Sequence, residues 1–154
     1  MNYQNILNNY GYFLYDTPYY QIVFMALFIQ LLTSYTNIKF VYLTILNILG
    51  YLTIGILKNY FKTDRPLDCL NSEYDICPES YDIPSGHSFF SVFWTMIIYK
   101  SLKNYYYKNV KMCLIIYLVL IPLSRYISGV HSIGAIIVGS VMGIIWFVIS
   151  TFIN

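Results

Sequence analysis

The stretch SIGAIIVGSVMGIIWFVISTFIN, residues 132–154, contains no charged side chain. A helix needs about 20 mainly apolar residues to cross the hydrocarbon core of a bilayer, so this stretch is long enough to span one. Residues 17–38 and 40–57 are also uncharged, and they meet the same requirement when polar side chains at their ends reach the headgroups. The chain is therefore predicted to be a membrane protein.

Two shorter apolar runs, residues 88–99 and 112–124, lie between these stretches. They reach the headgroups only if the flanking lysines extend along the membrane normal. We therefore expect an all-α, polytopic bundle of about five transmembrane helices that forms a single domain over residues 1–154. The first helix is expected to begin at Thr17-Pro18, because proline is favoured at the first helical position. The tyrosine-rich residues 3–15 suit an additional interfacial helix.

The overall composition supports a membrane protein and excludes some partners. Hydrophobic residues make up 58% of the chain and charged residues 10%, which is too apolar for a soluble domain of this size. The net charge is +2, and the chain has no basic stripe and only two arginines. Nucleic acid is therefore not an expected partner, whereas the bilayer is. The oligomeric state is left open.

Five membrane passes place the loops at residues 58–84 and 125–132 on the same side. All the acidic residues after Asp16 lie in the first of these loops. The other side carries lysines and no acidic residue, and by the positive-inside rule it is cytoplasmic. The loop side is therefore expected to face the extracytoplasmic space or a lumen. The cytoplasmic lysines are Lys39, Lys100, Lys103, Lys108 and Lys111.

Two of the three cysteines, Cys69 and Cys77, lie in the long loop. A disulfide between them and a pair of free thiols are both compatible with this spacing, and a disulfide would persist in an extracytoplasmic compartment. Neither cysteine has the spacing of a zinc site.

Polar residues of a particular kind gather on the loop side, at predicted helix ends. Cationic side chains there would bind phosphate oxygens, and a helix N-terminus with a glycine also favours an anion. Two histidines supply a nucleophile and an acid for phosphoryl transfer. No acidic cluster is placed to hold magnesium, so no metal site is expected. The residues are Lys58, Arg65, Ser85, Gly86, His87, Arg125 and His131.

These residues form three blocks: Lys58 with Arg65-Pro66, Pro84-Ser85-Gly86-His87, and Ser124-Arg125 with His131. Together they resemble the three-part signature of the type 2 phosphatidic acid phosphatase family, whose superfamily includes vanadium haloperoxidases.

The resemblance implies hydrolysis of a lipid phosphate monoester or diphosphate without a metal or other cofactor. His131 would attack phosphorus to form a phosphohistidine, and His87 would protonate the leaving alkoxide and then activate water. The phosphate would be held by Lys58, Arg65, Ser85, the Gly86 backbone and Arg125.

The sequence departs from the family pattern at one position. An aspartate follows the nucleophilic histidine by four residues in the family, whereas this chain has Ala135 there and no acidic residue after Asp82. We therefore expect the carboxylate that orients His131 to be absent and activity to be impaired. Losing the equivalent carboxylate in a serine-protease triad lowers turnover by about 10⁴-fold. Ala135, Gly139 and Gly143 instead form a small-residue stripe, typical of close helix packing in membranes.

Three explanations of Ala135 are open: an engineered inactive variant, a naturally slow or inactive member, or a site where water or a hydroxyl partly substitutes. Two other functions also fit the charges. One is a catalytically inactive protein that binds or transfers lipid phosphates, and the other is a small channel or transporter.

Overall fold

The computed structural model describes residues 37–70, 77–102 and 108–152, which are helical apart from short connections. We number the helices α1 to α5 in chain order. They are α1 (Asn37–Phe61), the single-turn α2 (Leu67–Leu70), α3 (Gly86–Ser101), α4 (Lys108–Ile127) and α5 (Ile133–Thr151). The predicted helix beginning at Thr17-Pro18 and the predicted interfacial segment 3–15 lie outside these residues.

Three of the described helices are long and apolar enough to cross a membrane. They comprise Val41–Phe61 of α1, Lys108–Ile127 and Ile133–Thr151. The prediction of an all-α membrane protein is confirmed in this form, while the number five is not established. Residues 88–99, predicted as a fourth spanning run, belong to α3, which has 16 residues.

Helix α3 lies at the centre of the bundle. Its side chains Phe89 and Phe93 are completely buried, and it packs mainly against α5 and α4. Helix α1 is joined to α3 by a hydrogen bond from Trp94 Nε1 to Asn47 Oδ1 of 3.1 Å. Most of α3 is therefore covered by its neighbours, with buried side chains from Ser88 to Ile98.

Small residues bring α5 close to α3. Ala135, Gly139 and Gly143 are all buried. A Cβ atom added at Gly139 would overlap the backbone of Ser85, and one added at Gly143 would lie 2.6 Å from the Phe89 carbonyl oxygen. The prediction that this stripe packs closely against another helix is confirmed, and its partner is α3.

The outer faces of α1, α4 and α5 are apolar. Their exposed side chains include Ile45, Leu52, Ile56, Ile115, Val119, Ile137 and Ile145. A soluble monomer rarely leaves so continuous an apolar surface exposed. These faces are therefore suited to contact with lipid acyl chains.

Gly139→Ala is expected to destabilise the protein. The new methyl group would push α5 away from the Ser85 backbone, and overpacking of this kind costs about 1–3 kcal/mol. The matched control is Gly55→Ala in α1, where no described residue lies within 4 Å of an added Cβ and the lower backbone freedom of alanine should be neutral or slightly stabilising. Thermal unfolding in detergent measures both. Equal melting temperatures for the two variants would contradict the close approach of α3 and α5.

Candidate active site

Helices α3 and α5 begin side by side. Each has a serine N-cap: the Ser85 hydroxyl accepts from the Ser88 N–H, and the Ser132 hydroxyl accepts from the Ala135 N–H. The Ser85 N–H donates to the Ala135 carbonyl oxygen at 3.0 Å, which fixes one helix start against the other. His87 and His131 are thereby held at the same end of the bundle.

Ser85 itself is enclosed by this packing. Its side chain has no exposed surface, and its hydroxyl oxygen also accepts a 3.1 Å hydrogen bond from the Ser88 hydroxyl. Both of these bonds use the hydroxyl oxygen as an acceptor, so the contact between the Ser85 hydroxyl hydrogen and a phosphate stays a prediction. In the structure its side chain caps α3 and its backbone N–H binds α5.

Lys58 and Arg65 converge on the segment that precedes α3. Lys58 Nζ donates to the Ser80 hydroxyl oxygen at 3.1 Å and also to the Tyr81 carbonyl oxygen. Arg65 donates from Nη2 to the same hydroxyl at 3.0 Å and from Nε to the Ser80 carbonyl oxygen at 2.7 Å. The two cations are therefore brought together around Ser80.

Arg65 also reaches the turn that carries His131. Its Nη1 donates to the Val130 carbonyl oxygen at 2.7 Å, within the buried part of the site. The guanidinium thus connects the segment before α3 to the segment before α5. Its position is determined by several protein acceptors, so the guanidinium is pre-organised before any ligand binds.

Arg125 and His131 are held at the two ends of a compact turn. The His131 N–H donates to the Arg125 carbonyl oxygen at 3.2 Å. Gly129 has a φ of 67°, a left-handed conformation that costs glycine little. The turn places both side chains, which are 4% exposed, in the buried end of the bundle.

The charges of the site meet at His87. Its imidazole interacts electrostatically with Arg125, His131, Lys58 and Arg65. His87 Nε2 is buried and has no hydrogen-bond partner among the described residues. Four of the ionisable residues singled out in the sequence therefore act on the imidazole of the fifth, His87, and Gly86 begins the helix that carries it.

His131 forms a hydrogen bond with a carboxylate that was not predicted from the sequence. Asp82 Oδ1 lies 2.7 Å from His131 Nδ1, and Asp82 is 2% exposed. Both carboxylate oxygens also lie within reach of the Ser132 N–H, at 3.4 and 3.3 Å. The aspartate is therefore a buried acceptor placed between His131 and the start of α5.

This contact corrects the sequence-based expectation about Ala135. Residue 135 is indeed an alanine without a side chain able to orient His131, but the inference that no carboxylate reaches the imidazole is wrong. The carboxylate comes from a different segment of the chain. The expected impairment of activity rested on its absence and loses that basis.

Burial and nearby charge act on His131 in opposite directions. Burial lowers the pKa of the imidazole below its usual 6.5, and the cations Arg65 and Lys58 lower it further. The hydrogen bond and the negative charge of Asp82 raise the pKa and offset part of this effect. The balance favours a neutral imidazole at neutral pH.

Cys69 and Cys77 form a disulfide, with Cα atoms 5.2 Å apart. Of the two alternatives compatible with their spacing, the structure contains the bonded one. The disulfide lies within the segment between Arg65 and Ser80, and these two residues are hydrogen-bonded to each other in the site.

A family model described as the PAP2 superfamily matches residues 38–153, a range that contains all the site residues. The chain belongs to the PAP2 superfamily. The resemblance to type 2 phosphatidic acid phosphatases is thereby confirmed. No curated protein and no solved structure matches the chain significantly.

Membership of the PAP2 superfamily supports a phosphatase-type, hydrolytic activity, and together with the three apolar helices it indicates an integral membrane protein. Sequence reasoning missed two contributors to the PAP2 site, Asp82 and Ser80. The only signal for Asp82 was its place two residues before the Pro84-Ser85-Gly86-His87 block. Nothing in the sequence distinguished Ser80.

The His131 imidazole is expected to stay neutral when the pH falls through 6.5, because its lowered pKa shifts proton uptake to more acidic solution. Histidine labelled with ¹⁵N allows a direct titration by NMR, since the chain has two histidines and His87→Asn assigns the second signal. Protonation of His131 near pH 6.5 or above would contradict the dominance of burial and of the two cations.

Proposed function

We propose that this PAP2 protein hydrolyses a lipid phosphate monoester or diphosphate through a phosphohistidine on His131, without a metal ion. The observation that carries the proposal is that hydrogen bonds bring the segments carrying two imidazoles and three cationic side chains to one end of the bundle. Such a set can bind a phosphate, attack it and protonate a leaving group. The family membership of the chain agrees with this chemistry.

Binding of the phosphate would rely on side-chain charge. Lys58, Arg65 and Arg125 supply positive charge to the phosphate oxygens, and the buried surroundings strengthen these interactions relative to water. The Gly86 N–H lies at the start of α3, where the helix dipole favours an anion. Ser85 caps α3 with its hydroxyl oxygen and binds α5 with its N–H, and its hydroxyl hydrogen is proposed to donate to the phosphate.

In the first chemical step, His131 Nε2 attacks phosphorus. The N–P bond forms while the bond from phosphorus to the alkoxide oxygen breaks, and His87 donates its proton to that oxygen. The bound phosphate favours the protonated state of His87, because it offsets the surrounding cations. The products of this step are the lipid alcohol, or a shortened phosphate, and phosphorylated His131.

In the second step, neutral His87 accepts a proton from water as the water oxygen attacks phosphorus. The N–P bond breaks, inorganic phosphate is released, and His131 returns to the neutral imidazole. The buried Nε2 of His87 is suited to exchanging a proton with a ligand, because no group of the described residues forms a hydrogen bond with it.

A lipid substrate is supported by the surface around the site. Large apolar side chains are exposed at the ends of α1 and α4 and at the start of α5, and these are Tyr60, Ile127 and Ile133. A phosphate attached to acyl or isoprenoid chains can enter the site while its chains stay beside these residues. A free, water-soluble phosphate ester gains nothing from this apolar border.

The site is proposed to face the extracytoplasmic or lumenal side. The described lysines Lys100 and Lys108 lie at the ends of α3 and α4 that are opposite to His87 and Arg125. The positive-inside rule assigns the lysine end to the cytoplasm. The Cys69–Cys77 disulfide agrees with this orientation, because such bonds persist in oxidising compartments.

No specific observation favours the alternative of a lipid-phosphate binding or transfer protein. That alternative followed from a missing carboxylate beside His131, and the Asp82 contact removes this reason. Phosphate binding without turnover in the purified protein would nevertheless favour it over hydrolysis.

Alanine substitutions of the two histidines are expected to block different steps of the reaction. With 4-nitrophenyl phosphate, whose leaving group needs little protonation, His87→Ala should still be phosphorylated but should hydrolyse the intermediate slowly, so that acid-labile, base-stable phosphoprotein accumulates. His131→Ala should form none. The control is Lys108→Gln, an exposed charge at the far end of α4, which should release phosphate from phosphatidate at the wild-type rate. Phosphoprotein in His131→Ala would contradict the assigned nucleophile.

Gly86→Ala is expected to weaken binding of inorganic phosphate without loss of stability. An added Cβ would meet only Ile54 among the described residues, at 3.9 Å, so the protein itself tolerates a methyl group there. A phosphate bound against the Gly86 N–H would be pushed away by it. Calorimetric titration with inorganic phosphate, together with thermal unfolding, separates the two effects. Unchanged affinity would contradict an anion at the start of α3.

A further inference from the structure

We infer that Asp82 is the positioning residue of this site, and that it performs for His131 the role that the family pattern assigns to the residue at position 135. The inference rests on the proposed function, since the role concerns His131 as a nucleophile. Asp82 precedes His131 by 49 positions, whereas position 135 follows it by four. The two positions therefore lie on different elements.

The geometry of the contact is that of an orienting carboxylate. Asp82 Oδ1 lies 2.7 Å from Nδ1 of His131, and both side chains are almost completely buried. A carboxylate in this position accepts the Nδ1–H, which selects one tautomer and leaves the lone pair on Nε2 for attack. Its negative charge also stabilises the cationic imidazole that forms when Nε2 bonds to phosphorus.

Asp82 is itself held by a set of hydrogen bonds. Its N–H donates to the Thr63 carbonyl oxygen at 2.9 Å, and the N–H of Ile83 donates to the Thr63 hydroxyl at 3.0 Å. The Ser132 N–H, at the start of α5, approaches both carboxylate oxygens. A side chain fixed at its backbone and at its carboxylate can in turn fix the ring that it contacts.

The packing around residue 135 explains why an alanine suits this chain. Ala135 has no exposed surface, and its carbonyl oxygen receives the Ser85 N–H from the same segment that carries Asp82. An aspartate at position 135 would place a second buried carboxylate close to the first. Two such groups repel each other and compete for one Nδ1–H, so the two positions are alternatives.

A kinetic cycle tests this assignment. Asp82→Ala should lower kcat for phosphatidate by about 10⁴-fold, by analogy with the serine-protease triad, with little change in KM. Ala135→Asp alone should also lower kcat. The double variant, Asp82→Ala with Ala135→Asp, should exceed both single variants, because it again has one carboxylate near His131. The matched control is Asp64→Asn, an exposed loop acid, which should behave as wild type.

A spectroscopic measurement does not depend on turnover. In ¹⁵N-histidine-labelled protein, His131 should be the Nδ1–H tautomer, and the isosteric Asp82→Asn should shift it towards Nε2–H while inorganic phosphate still binds. A merely structural role for Asp82 would leave the tautomer unchanged.

Wild-type kcat in Asp82→Ala, an unchanged tautomer in Asp82→Asn, or a double variant no better than either single variant would each overturn the inference. If the wild-type protein hydrolyses no lipid phosphate at all, the proposed function fails, and the tautomer measurement still decides whether Asp82 orients His131.

Discussion

The backbone contact between α3 and α5 is the constraint on which the rest of the site depends. Gly139 and Gly143 have no side chains to hold the helices apart, and the Ser85 N–H can therefore reach the Ala135 carbonyl oxygen. In a bilayer, helix association gains little from the hydrophobic effect and relies on close packing and on interhelical hydrogen bonds. The same contact brings two helix starts, and with them both histidines, to one place.

The cationic side chains beside the two histidines donate hydrogen bonds to oxygen atoms of the loops. Lys58 and Arg65 are surrounded by oxygen atoms of Ser80 and Val130, and the one buried acid of the described site is Asp82. Buried charges without partners are costly, so these acceptors allow the cations to remain in the site without a ligand. A phosphate that bound there would meet cations that are already placed, and the protein would not need to reorganise to receive it.

Much of this arrangement is predictable from sequence, but only where a pattern has a fixed period or a motif has a fixed order. The apolar stretch at 40–57 predicted α1, and the spacing of Ala135, Gly139 and Gly143 predicted a packed face. The carboxylate beside His131 was not predictable in this way. The aspartate expected one helical turn after the histidine is a local neighbour, whereas Asp82 is separated from His131 by 49 positions. Such a contact depends on how the loop and the two helix starts come together, and no local pattern encodes that. The same reason hid Ser80, whose neighbours Lys58 and Arg65 are also distant in sequence.

The Cys69–Cys77 disulfide lowers the entropy cost of ordering the segment between Arg65 and Ser80. Arg65 and Ser80 are 15 positions apart along the chain, and the disulfide spans eight of these. The connection between the two residues through the disulfide is therefore much shorter than the connection along the backbone alone. Less conformational entropy is lost when Ser80 and the Arg65 guanidinium form their hydrogen bonds. The crosslink restricts the conformations of the unfolded loop and is not itself a contact of the site. It therefore reduces the entropy lost on folding before any hydrogen bond of the site has formed.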